Sequence, residues 1–176
     1  MKKFIIYGIV FLASFNFALA QNPTEIPLDQ AWKDKITKLA PEKANFPFKK
    51  KKKILVFSLH TGFWHWVNPH TSAMINILAD KSGAFDVTTS TDIAMMEKDN
   101  HHAFDAVVFN NTNAKGDYRN LFVDVFREDT SMDSAAVWAK AEKLENNIIQ
   151  YVKKGGGILI VHGGNTMLNN SMEFSK

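Results

Sequence analysis

The sequence predicts an α/β domain built on a parallel sheet. Three observations lead there. Apolar runs of four to six residues at Ile54–Leu59, Asp105–Asn110 and Ile158–Val161 have the length of strands, and such runs mark strands buried on both faces. Stretches of helical period separate them, above all Ser134–Lys154. Glycines punctuate the joins, most densely at Gly155-Gly156-Gly157 and Gly163-Gly164.

At 176 residues the chain is long enough for one domain with its own core. Its 45% apolar content argues against disorder. Residues 1–20 read as a secretory signal: Lys2 and Lys3 open it, an apolar run extends from Phe4 to Phe17, and Ala18-Leu19-Ala20 offers a small-x-small cleavage pattern. The apolar run is short for a bilayer span of about 20 residues. The expectation is therefore a periplasmic or secreted protein with no stable membrane anchor after cleavage. Without Lys2 and Lys3, 19 basic residues face 18 acidic ones, which gives no support for nucleic-acid binding. The absence of cysteine removes disulfides, thiolate ligands and any thioester mechanism.

Residues 21–52 are read as an extended arm. It holds Pro23, Pro27, Pro41 and Pro47, with one short helix at Gln30–Leu39 placing Trp32, Ile36 and Leu39 on a face. The run Lys49–Lys53 is read as a solvated lead-in to the first strand, with contact to a polyanion or membrane surface as the alternative. The domain proper is set at residues 53–176. Ile54–Leu59 is its first strand. Thr71–Ala79 is a helix with Met74, Ile77 and Leu78 together, stopped by Gly83. Phe85–Ser90 alternates and suits an edge strand. A short helix is expected at Ile93–Glu97, followed by the third strand at Asp105–Asn110. Asn111–Asp133 shows turn chemistry but no assignable element, and most of its charges at Asp117, Arg119, Asp124, Arg127 and Glu128 are expected to be solvated. In Ser134–Lys154, Val137, Ala141, Leu144, Ile148 and Tyr151 keep helical spacing, and Gly155 offers a left-handed cap. Ile158–Val161 is the fourth strand. Met167, Leu168, Met172 and Phe174 read as the start of another packed element, which predicts a domain cut short at its C-terminus.

Strand–helix alternation with short joins predicts the flavodoxin-like order second, first, third, fourth. The tips His60-Thr61-Gly62, Asn110-Asn111-Thr112 and His162-Gly163-Gly164 then converge at the carboxyl edge of the sheet, where ligands bind in such folds.

Three blocks together resemble the ThuA-like (trehalose-utilisation) family: Gly62-Phe63-Trp64-His65 after the first strand, Asp105–Asn110, and Tyr151–His162 with its triple glycine, four apolar residues and histidine. The resemblance runs from about Lys53 onward. It implies a three-layer fold similar to class I glutamine amidotransferases and a link to carbohydrate metabolism. It supplies no reaction.

His162 is the first candidate for proton transfer, because a glycine turn after a strand opens its ring to the crevice. His65, between Trp64 and Trp66, is the second. Trp64 offers a ring for the apolar face of a sugar, while Asn110, Asn111, Thr112 and the Gly163 backbone offer polar contacts. For each of these a structural role (core closure for the tryptophans, turn formation for the asparagines) remains open. His60, His65 and His162 form a candidate ligand set for a divalent metal such as zinc. His101 and His102 precede the third strand and are excluded as lying at the opposite sheet end. The expected function is an exported protein acting on, or binding, a small-molecule carbohydrate. A noncatalytic sugar-binding or interaction module is the alternative.

Overall fold

The computed structural model describes residues 24–175. The proposed signal segment, 1–20, lies outside the described residues. Four parallel strands form one sheet: β1 (Lys52–Phe57), β2 (Phe85–Ser90), β3 (Ala106–Asn110) and β4 (Gly157–Val161), in the order β2-β1-β3-β4. The fold is α/β, as the strand–helix alternation requires, and is compatible with a flavodoxin-like three-layer arrangement.

Strand alternation sorts the two faces. Leu55, Phe57, Val107 and Phe109 form one cluster with the buried stripe of α5 (Ser134–Lys153), namely Val137, Ala141, Leu144, Ile148 and Tyr151. Phe57 and Phe109 meet edge to face at 6.3 Å. Val56 and Val108 have the opposite parity. So does Asn110, whose carboxamide donates to Asn68 O and Ser72 Oγ of α2 (Asn68–Ser82), which places that helix on the second face. Gly83 ends α2 in the left-handed region, with φ +63°.

The arm carries α1 (Gln30–Leu39), capped by Asp29, whose carboxylate accepts from Trp32 N at 2.8 Å. The Trp32 ring meets His70 of α2 edge-on at 5.0 Å. In the lysine run, Lys51 pairs with Asp86 at 3.3 Å and Lys52 with Asp105 at 2.7 Å. A single-turn 3-10 helix at Ile93–Met96 leads into α3 (Lys98–His101). Among the described residues no helix is long and apolar enough to cross a membrane.

The structure corrects four expectations. Within Asn111–Asp133 it places α4 (Leu121–Phe126), with Leu121, Phe122, Val123 and Phe126 all in the core. Asn120 starts this helix by accepting from Phe122 N and Val123 N. Asp124 is not solvated. It is 6% exposed and accepts from Thr61 Oγ1, Lys115 N and Gly116 N. Finally, β4 is an outer strand rather than a buried one, with Leu159 55% and Ile160 41% exposed. Its place at the end of the sheet follows the expected strand order, but apolar composition did not fix how far its side chains are covered. After β4 the chain turns back: Met167 and Leu168 are fully buried, Leu121 N donates to Met167 O, and Leu168 bridges Asn120. Met172 is exposed instead of packed.

Candidate functional site

Three loops meet at the carboxyl edge of the sheet. The loop after β1 carries His60 to Val67, the loop after β3 begins at Asn111, and a single-turn 3-10 helix, His162–Thr166, follows β4. Two hydrogen bonds, from Thr61 N and Gly62 N to Asn113 O, tie the first loop to the second.

His162 leaves the sheet with φ +51° and an exposed side chain. For a residue with a Cβ this left-handed region is uncommon, and such conformations concentrate at functional sites. Its ring lies 4.4 Å from that of His65, with planes 71° apart. His162 Nδ1 is 3.1 Å from Asn111 Oδ1. Two histidines 97 positions apart in sequence are thus brought together at one crevice. His65 also meets Phe63 edge-on at 5.1 Å. Phe63 and Trp64 are 71% and 55% exposed, so they form an apolar rim and not a core plug. Trp66 is half-buried and meets His70 at 5.2 Å.

His60 does not join the other two histidines. Its Nδ1 lies 3.2 Å from Ser58 O and its ring tilts against Trp64 at 5.3 Å. Among the described residues no three His, Asp or Glu side chains gather as a metal-holding group, so the set His60, His65 and His162 is not assembled. The His60 ring has turned to Trp64, while those of His65 and His162 face each other.

The β3 tip is also corrected. Asn110 is 1% exposed, and its carboxamide NH2 has Ser58 Oγ, Asn68 O and Ser72 Oγ as acceptors, so it clamps α2 to the sheet. Thr112 is fully buried. Asn111, 1% exposed with φ +54°, faces inward and holds the turn after β4: its Oδ1 accepts from Gly163 N at 3.2 Å. Asn111 Nδ2 reaches back to Phe63 O at 3.4 Å. Gly163 approaches so closely that a Cβ there would collide with Asn111 Oδ1.

Asp124 is the residue that sequence reasoning missed. Its carboxylate sits beneath the loop pair that carries His65, joining Thr61 to Lys115 and Gly116. His101 lies elsewhere, as the strand order requires. Its ring contacts Glu97 O and Asn147 O, and burial pushes its pKa down. A separate cleft of about 340 Å³ opens beside α5, bordered by Asn120, Trp138, Glu142, Glu145 and Ser171, and shares no residue with the three strand tips.

No family model, curated protein or solved structure matches this chain.

Proposed function

We propose that the crevice of His65 and His162 binds a small carbohydrate or sugar derivative, and that His162 acts on it by proton transfer. The observation behind this reading is the meeting of the two imidazoles at 4.4 Å on the sheet's carboxyl edge. The exposed Trp64 and Phe63 rings beside them suit the apolar face of a sugar ring, while the imidazoles suit its hydroxyls. The resemblance to the ThuA-like family points to the same substrate class, and the signal-like segment 1–20 supports action outside the cytoplasm.

The test compares the full chain with its His162→Ala variant, using trehalose and glucose as probes in calorimetry and in a turnover assay. Turnover is expected to fall by about 10²–10⁴-fold, the usual contribution of a general acid or base, with binding retained. Binding by the parent chain with no turnover would instead make it a noncatalytic sugar-binding module. Failure of the parent chain to bind either sugar would overturn the carbohydrate reading.

A further inference from the structure

We infer that Asn111 is a positioning residue that fixes the tautomer of His162. It keeps the proton on Nδ1 and leaves Nε2 bare, so that the site takes ligands presenting a hydrogen-bond donor, such as a hydroxyl, to that nitrogen. The choice of a hydroxyl-bearing ligand rests on the carbohydrate reading; the tautomer assignment does not.

One atom, Asn111 Oδ1, decides the tautomer. A backbone amide can only donate, and Gly163 N points at the Asn111 side chain at 3.2 Å. The receiving atom must therefore be the carboxamide oxygen, which fixes the orientation of the group. The other end agrees, because Nδ2 faces the Phe63 carbonyl, an acceptor. His162 Nδ1 lies 3.1 Å from the same oxygen. That oxygen carries no hydrogen, so the imidazole must supply it. A neutral ring with Nδ1 protonated has its lone pair on Nε2. Two donors fill the two lone pairs of Asn111 Oδ1, and burial of Asn111 to 1% exposure keeps water from competing.

The backbone is suited to this arrangement. Asn111 and His162 both lie in the left-handed region, at φ +54° and +51°. Asparagine enters that region more readily than most residues and also brings a carboxamide. Gly163 has to lack a Cβ for its amide to come this close.

The experiment is ¹⁵N NMR of the imidazoles in the full chain at alkaline pH, where the rings are neutral. His162 is assigned by its loss in His162→Ala. The expected result is an unprotonated Nε2 and a protonated Nδ1. Asn111→Gly tolerates the positive φ while removing the carboxamide. It should erase the tautomer preference and speed hydrogen exchange at the Gly163 amide. Asn111→Asp keeps an acceptor oxygen and should restore both. A protonated Nε2 in the parent chain, or an unchanged tautomer in Asn111→Gly, would overturn the inference. Asn111→Asp separates a lost carboxamide from a lost fold: a folded Asp variant that fails to restore the tautomer would also overturn the positioning role. If the tautomer is as assigned and neither glucose nor trehalose shifts the Nε2 resonance, the positioning role stands and the carbohydrate reading falls.

Discussion

The two ends of the sheet are built differently. At the amino end polar groups are mostly paired off. Asp105 accepts from Lys52 Nζ at 2.7 Å and Lys53 N at 2.9 Å, its carbonyl accepts from Gly157 N, and Tyr151 donates its hydroxyl to Phe104 O. At the carboxyl end the chain leaves work undone. Of the six buried side-chain polar atoms without a partner among the described residues, five lie on the β1 and β3 loops or in the first turn of α2: His65 Nδ1, Asn68 Nδ2, His70 Nε2, Thr112 Oγ1 and Asn113 Oδ1. The amino end has one, His102 Nε2. Unpaired buried polar groups are costly, of order 1–3 kcal/mol each, so their concentration at one end separates a region built for stability from one that carries other demands. Among the described residues, two of the three non-glycine residues with positive φ, Asn111 and His162, sit at the same end.

The strongest way to break this contrast is to remove the main polar anchor of the carboxyl end. Asp124→Ala deletes the acceptor of three donors from Thr61, Lys115 and Gly116 and should cost about 3 kcal/mol, measured by urea unfolding. A loss below about 1 kcal/mol would show that these loops do not depend on that carboxylate. A smaller effect concerns backbone strain. His162→Gly and His162→Ala both lose the bond to Asn111, but only alanine keeps a Cβ at φ +51°. The glycine variant should be the more stable by about 1 kcal/mol in the same assay; equal stabilities would mean that the turn relaxes.

The smallest effect tests the amino end. Hydrogen bonding from Lys52, then from the Lys53 amide, holds the Asp105 carboxyl below its ordinary value of 3.8. A lowered folded pKa contributes stability that is present above 3.8 and is lost as pH falls through the folded value. Acid unfolding of Lys52→Met should therefore show a shallower loss in that interval than the parent chain. Identical acid limbs would remove the pair from the account. The effect is modest because both side chains are substantially exposed, at 50% and 37%.

The fold was legible wherever local pattern carries the signal. The bounds of α1, β2 and the start of α5 follow from a cap, an alternation and a helical period that need no knowledge of distant residues. Strand order followed from short joins. What escaped was decided by distant partners. Leu121–Phe126 is a solid apolar run broken by one aspartate, with no period to separate helix from strand, and Asn120 as its cap was the available clue. The burial of Asp124 depends on Thr61, 63 positions away. Apolarity in β4 says nothing of whether a further layer covers it. In the site, the glycine turn made His162 visible as a candidate, but the division of labour on β3 was hidden. Asn110 faces α2 and Asn111 faces the β4 turn, and adjacent asparagines in a sequence do not announce opposite roles.

The left-handed backbone at Asn111 and the bare rim at Phe63 and Trp64 together give this crevice two mutational regimes. Position 111 tolerates few side chains, because conformation and carboxamide are demanded at once. Residues 63 and 64 project into solvent and can be exchanged at little cost to folding. Selection for a new ligand would find its raw material at the rim, while the histidine support beneath it stays unchanged.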